Sequence, residues 1–588
     1  MGSFHACKLF NKCNPSRQRL RKDVHVRKCL RNCFVNLAPG SPSCQVTASL
    51  LCQRPSMNLG VLAEMFHAHT ARCGRLGNSL LLLRYRSSTA VQPHLDEAAQ
   101  ERSGAVTGRP AHEIPGPRVY PIIGTLPGMM LNKSFDSRAL HKVWIDMVKQ
   151  YGPILKLQQP GIDDLVGLTN PADCEIVMRS TINNPVRIGF ESIKKIRDET
   201  IDNYFEKKSG ILVENGEEWW RVRSRVQTPM MKPKNVTSYL TKMDEVAVEF
   251  MDRIAALQEE FGEMPTNFQF ELYKWALESV GLVALNRRLG CLDSNILPDS
   301  EPMKLITIVN NIFDLLNDTE MNLPYWKIFP TSSFRKLRKN HQEFLELADR
   351  NIQETEAALM KEEASDTKEL SLMETLLLNP GLSRKDVVTL ILDMLFAGID
   401  TTSHTIGFTL YLLARNPEVQ VRLQKEVDSV IGDLQGPLTS THLAQLSYLK
   451  AVVKESLRIF PLTIGTVRTL NRDTVLSGYV VPKGWMGICL NMLMGWDESL
   501  FPRAKEFIPE RWLRHKPLGP IHPYASLPFG TGTRMCIGRR IAEQELYIFL
   551  ARVMHRFSVD YKYEDMDLVT KLVYMPSEPL KFSFTERR

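Results

Sequence analysis

The stretch Phe529 to Gly538 reads FGTGTRMCIG, and its one cysteine, Cys536, sits among three glycines, Gly530, Gly532 and Gly538. Glycine reaches positive φ and lets a backbone pass close to a planar group, so this spacing predicts a tight loop that presents a thiolate to a flat cofactor. Backbone N–H groups in such a loop point at the sulfur and tune its charge. The segment that follows, RRIAEQELYIFLARVMHRF, predicts a helix starting just after the cysteine, and the positive end of a helix dipole lowers a thiol pKa. Arg534 is placed to reach an anionic group, and Phe529 to cover the thiolate side. A cysteine taken alone is usually a small buried hydrophobe; only the ten-residue pattern as a whole argues for a ligand.

A second group of reactive types lies in AGIDTT, Ala397 to Thr402. It belongs to a stretch from Asp386 to Ala414 that holds no Lys or Arg, and Val387 to Ile399 is interrupted only by Thr389 and Asp393. About 20 apolar residues can cross a bilayer, but Asp393, Asp400, His404 and the threonines are costly in lipid. A buried helix through a large core is therefore expected. Gly398 removes side-chain bulk and is expected to leave room over a cofactor face. Asp400 and Thr401 set an acid beside a hydroxyl, and a helical threonine that bonds back to a carbonyl loosens the local ladder. In KESLRIFP, Glu455 and Arg458 share a helix face at i, i+3; composition alone would make them an exposed pair of small value.

These segments resemble the cytochromes P450. The cysteine loop matches at Phe529, Gly530, Gly532, Arg534, Cys536 and Gly538, and AGIDTT, KESLRIFP, the PERW of Pro509 to Trp512 and a Trp-x-x-x-Arg pair, Trp219 with Arg223, fall in the family's order. The likeness covers roughly residues 110 to 588. It implies the P450 fold, mainly α with small β-sheets, and heme b (iron protoporphyrin IX) with Cys536 as axial ligand of the iron. It assigns Trp219, Arg223, Arg468 and Arg534 to the haem carboxylates, with Phe529 beside the thiolate. It gives Glu455, Arg458 and Arg511 a bracing charge network, and Asp400 and Thr401 the delivery of protons during dioxygen activation. The implied reaction is insertion of one oxygen atom from O2 into a lipophilic substrate. Two alternatives are a haem-thiolate isomerase or dehydratase that needs no redox partner, which the intact AGIDTT disfavours, and a non-catalytic haem-binding protein.

The chain is 588 residues long, with long helical stretches such as His341 to Glu363 and short β-like pieces at Ile154 to Gln159 and Tyr479 to Gly484. Pro-rich breaks occur at Ile114 to Gly124 and just before the cysteine loop, and no short repeat suggests a solenoid. Residues 1–90 differ from the rest: they carry 14 Lys plus Arg against 2 Asp plus Glu, and seven of the eleven cysteines without a CxxC pair. This acidic-poor leader, ending in RYRSS, reads as a mitochondrial transit peptide, followed by a linker at 91–110 and the haem domain at 111–588. Because the whole chain is only +8, the basic balance is local, and a nucleic-acid partner is not expected.

No apolar run of about 20 residues lies near the N-terminus, whereas endoplasmic-reticulum members of the family carry such an anchor. The resemblance is thus to the mitochondrial, ferredoxin-dependent animal clade, as an invertebrate member, on the matrix side of the inner membrane. The implied electron source is an adrenodoxin-like [2Fe–2S] ferredoxin with its NADPH-dependent reductase. Lys450 and Lys454, four apart on one helix, are the expected docking charges, with Arg539 and Arg540 nearby. In MNLPYWKIFP, Met321 to Pro330, the residues Leu323, Tyr325, Trp326, Ile328 and Phe329 adjoin the basic run Ser333 to Lys339, a composition that suits peripheral membrane contact and equally a helix junction packing inward. The residues that would line a substrate pocket carry no motif, so the substrate stays open.

Overall fold

The computed structural model describes residues 107–587 apart from 122, 132–137, 160–162, 201–203, 362–369 and 434–435. The expected transit peptide and nearly all of the linker lie outside the described residues. The linker's last two residues, Arg109 and Pro110, already pair in parallel with Tyr479 and Val480.

The fold is mainly α with small sheets, as expected. Its axis is the 32-residue helix Arg384–Arg415, which starts at a capping box: the Ser383 hydroxyl accepts from the Asp386 N–H, and the Asp386 carboxylate accepts from the Ser383 N–H. Pro417 opens the next helix directly after Asn416. A helix apolar all round must be buried. Its length and composition would suffice for a membrane span, but 83% of its most apolar window is buried within the protein. Phe268–Ala284 packs along it and is itself buried at nearly every position. Helices Glu301–Glu320 and Ser332–Lys361 pack on each other and on the long helix.

A four-stranded sheet runs in the order Ile154–Leu157, Leu165–Leu168, Met486–Cys489, Thr466–Thr469. The middle pair is parallel and both outer pairs are antiparallel. Arg468 enters the site from the edge strand, opposite Gly487. Helices Ser447–Ile459 and Arg539–Arg556 complete the layer under the cysteine loop, packing on each other and on the long helix.

The expected apolar face at Met321 to Pro330 is only partly realised. Trp326 turns inward: its indole N–H donates to Thr319 O at 2.9 Å and its ring stacks on Phe334 at 5.2 Å, because a buried indole needs an acceptor and finds one at a helix end. Leu323 is half-buried, while Tyr325, Ile328 and Phe329 remain exposed, Ile328 at 83%.

Candidate functional site

The cysteine loop is closed by its own backbone. The Cys536 N–H donates to Phe529 O at 2.9 Å and the Gly530 N–H to Leu527 O at 2.9 Å. Gly530 and Gly532 hold φ of 66° and 76°, a region that strains other residues. Gly538 caps the helix Arg539–Arg556, so the thiol sits at that helix's positive end. Cys536 is exposed, yet enough protein surrounds it that desolvation is the largest influence and pushes the thiol up; a backbone hydrogen bond from Gly538 and the charges of Arg223, Arg539 and Arg187 pull against it. Phe529 packs against the core with the Arg539 guanidinium 5.5 Å from its ring centre.

Three of the four residues expected to face carboxylates form one cluster of arginines, and a further arginine joins them. The Arg534 guanidinium lies 4.8 Å over the Trp219 ring and donates to Asn215 Oδ1 at 2.8 Å and to Glu214 O at 2.7 Å. Arg223 donates to Met535 O at 2.9 Å, inside the cysteine loop, and Arg468 to Val467 O at 2.8 Å. Arg187 was not foreseen: its segment PVRIGF carries no motif, and only the fold brings it here, donating to Leu212 O at 2.6 Å. Among the described residues none of these four forms an ion pair with a carboxylate within 4 Å. Desolvation lowers all four, Arg534 to about 8 and Arg223 and Arg468 to about 10; Arg187 pushes on each of the other three.

Buried like charges of this kind call for an anion, and the buried Nε atoms of Arg223 and Arg534 have no hydrogen-bond partner. A group carrying two carboxylates fits that demand, since guanidinium forks match carboxylate geometry. Among the described residues no cluster of three His, Cys, Asp or Glu could hold a bare metal ion. A single thiolate suits an iron whose other ligands come with the cofactor. The residues present therefore fit a haem.

On the long helix, Thr401 Oγ1 donates back to Ala397 O at 2.7 Å. Thr405 and Thr409 repeat the pattern one and two turns on. Ala397 is exposed and Thr401 half-buried, so the open face of the helix runs through these two. The expectation for Gly398 needs correcting: a Cβ there would lie 2.9 Å from Val280 Cγ2, so the glycine permits close approach of Phe268–Ala284 rather than clearing the open face. Asp400, 2% exposed, leaves the helix about 100° around from Thr401. It lies near His404, with His404 Nδ1 3.5 Å from its Oδ2 and 2.8 Å from its backbone O.

Glu455, Arg458 and Arg511 do meet, fully buried. Arg458 grips Glu455 with two N–H groups at 2.9 and 2.7 Å, and Arg511 Nε reaches the same carboxylate at 2.8 Å. The indole of Trp512 adds a fourth donor at 2.7 Å, a partner present in PERW but not foreseen. The surplus positive charge is met by backbone: Arg458 donates to Ala504 O, and Arg511 to Pro502 O and Arg503 O.

The two expected docking lysines differ. Lys450 is half-buried, bonded to Ala444 O at 3.1 Å, and lowered by desolvation and by Lys454. Lys454 is exposed and has no ion-pair partner among the described residues. Arg539 and Arg540 are both tied to Glu543.

The sequence profile of the family described as Cytochrome P450 matches residues 114–584. The chain is 33% identical over 499 residues to a Drosophila melanogaster protein described as probable cytochrome P450 49a1, spanning 82% of this chain and 84% of that one. It is 33% identical to the same insect's probable cytochrome P450 301a1, mitochondrial, over 85% of this chain and 93% of the relative. It is 35% identical to its probable cytochrome P450 12a5, mitochondrial, over 75% and 85%. With the thiol loop, the buried Glu455 network and the arginine cluster agreeing with that match along most of its length, the chain belongs to the cytochrome P450 family.

Proposed function

We propose that this P450 is a mitochondrial monooxygenase that inserts one oxygen atom from O2 into a lipophilic substrate with electrons from a [2Fe–2S] ferredoxin. The observation that carries the cofactor reading is the cluster of Arg187, Arg223, Arg468 and Arg534 beside the Cys536 loop without a carboxylate partner. Heme b, held by the Cys536 thiolate, would supply dioxygen activation and transfer of one oxygen atom to a C–H bond, the second leaving as water.

The chain's own residues do the rest. Arg187, Arg223, Arg468 and Arg534 bind the two carboxylates, and Trp219 supports Arg534 from below. The Gly538 N–H donates to the Cys536 sulfur and limits its basicity. Phe529 excludes water from that side. Thr401 holds its hydroxyl proton on Ala397 O and passes it into the open face, Asp400 replenishing it. Glu455, Arg458 and Arg511 keep the layer beneath rigid. Lys454, with the partly covered Lys450, offers an acidic ferredoxin a positive contact. Exposed Tyr325, Ile328 and Phe329 lie beside the basic Ser332–Lys361 helix and suit peripheral membrane contact. Relatives whose printed names include "mitochondrial" support that address, as does the basic leader in the sequence.

The test is reconstitution with a mitochondrial ferredoxin, its reductase and NADPH, using lipophilic compounds chosen by their spectral shift on the ferric protein. Oxygen consumption with a hydroxylated product is the expected result. Peroxide rearrangement without the ferredoxin would instead favour an isomerase.

A further inference from the structure

His404 sits one turn beyond Asp400 and is 1% exposed. Its Nε2 is 3.4 Å from the Tyr273 hydroxyl, which comes from the neighbouring helix Phe268–Ala284. Its Nδ1 lies against both the backbone and the carboxylate of Asp400, and Asp400 Oδ2 is buried with no hydrogen-bond partner. The ring thus spans two buried groups, a phenol and an acid. Such an arrangement is expensive as pure packing, because each polar atom is desolvated for long contacts.

We propose that Tyr273 and His404 are relay residues that feed protons to Asp400 from the half-buried first turn of the Phe268–Ala284 helix. The inference rests on the reading that Asp400 replenishes Thr401. Burial first, and then the negative charges of Asp400 and Asp314, hold the Tyr273 phenol well above its ordinary value, and the half-buried Gln269 precedes it by one turn. Asp314 is about half exposed and ion-paired to Lys571 at 3.0 Å. Asp400 and Lys571 act on the imidazole directly, and Asp314 acts on Tyr273. With Nδ1–H donating to Asp400 O, Nε2 is free to accept. Tyr273 gives its hydroxyl proton to Nε2 and takes one from water. The Nδ1 proton passes to Asp400 Oδ2 in the same concerted shift, and the starting tautomer returns when water takes the Nε2 proton and delivers one to Nδ1. One proton moves from water to the carboxylate, and no electrons change hands.

Supporting geometry also favours relay over packing. The Tyr273 and His404 rings meet edge to face at 5.6 Å, which holds the phenol beside the imidazole. Burial and the Asp400 charge act oppositely on His404, and its proton affinity ends above the ordinary value; that keeps the ring able to accept a proton near neutrality.

The test uses the haem-loaded protein and the variants Tyr273→Phe, His404→Gln, Asp400→Asn and Thr401→Ala. In the diamagnetic reduced carbonyl complex of 15N-histidine-labelled protein, the resonance lost in His404→Gln should show protonated Nδ1 and an accepting Nε2. Tyr273→Phe should shift that Nε2 signal; a protonated Nε2 unmoved by the variant overturns the relay. In turnover, Tyr273→Phe and His404→Gln should each raise peroxide released per product by about tenfold and enlarge the solvent deuterium effect, with unchanged haem content. If only Asp400→Asn and Thr401→Ala do so, the relay fails and the oxygenase reading stands. If none of the four does, the proton-delivery reading fails with it.

Discussion

Arg511 reaches Glu455 across 56 residues of sequence, Nε to Oε1 at 2.8 Å, in a place where neither side chain is more than 1% exposed. The contact ties the PERW turn to the helix Ser447–Ile459. Removing the acid, as in Glu455→Ala, leaves two buried guanidiniums without their counter-charge, a loss of about 3 to 5 kcal/mol. The expected outcome is failure to recover folded haem protein, checked by haem content and circular dichroism. Glu455→Asp, which keeps the charge but shortens the reach, should fall between.

Cys536→Ala should lose the red-shifted absorption of the reduced carbonyl complex that a thiolate-ligated haem would give. Visible spectroscopy decides it, and a variant that keeps the shifted band would remove Cys536 from the iron. The loop itself is not expected to unfold, because its closing bonds use the backbone N–H groups of Cys536 and Gly530 rather than the thiol.

Glu545 gives a pH signature. It is buried on the helix that follows the cysteine; desolvation outweighs the neighbouring Ser279 and the hydrogen bond donated by Thr402, and pushes its carboxyl up to about 7. An unfolded glutamate titrates near about 4.3, so between those values the folded chain binds the extra proton. Its stabilising share is therefore present at low pH and lost as pH rises through about 7. The loss should amount to no more than about 4 kcal/mol. Glu545→Gln should flatten the stability profile between these limits, as read by denaturant titrations at a series of pH values.

Lys454→Glu should raise the ferredoxin concentration needed for half-maximal reduction by several-fold at low salt, and the gap to the parent should close as salt rises. Lys450→Ala should do less, since that amine is half-covered and bonded to Ala444 O. Stopped-flow reduction at several ionic strengths checks both.

The parts that were legible in the sequence are those whose chemistry is local. A ten-residue loop with glycines at the positive-φ positions declares itself, and so does a long helix with no Lys or Arg from Asp386 to Ala414. Arg187 was invisible because its role exists only after the chain has brought 187, 223, 468 and 534 together. Trp326 stayed undecided between surface and core because composition cannot say which aromatic of a mixed run finds a buried acceptor; Thr319 O decides it. Gly398 was given the wrong neighbour for a similar reason. A glycine inside a helix shows that something comes close, and only packing shows that the something is Val280. Lys450 and Lys454 looked equivalent at i, i+4, yet one is held by a carbonyl of the preceding turn.

The arginine cluster bears on abundance as well as on binding. Anything that binds only the folded chain stabilises it by mass action, and here a dianionic ligand would also relieve the repulsion among Arg187, Arg223, Arg468 and Arg534. Haem supply should consequently act on this protein as a quality checkpoint: molecules that acquire the cofactor escape proteolytic triage, and cellular levels follow porphyrin availability as closely as they follow transcription.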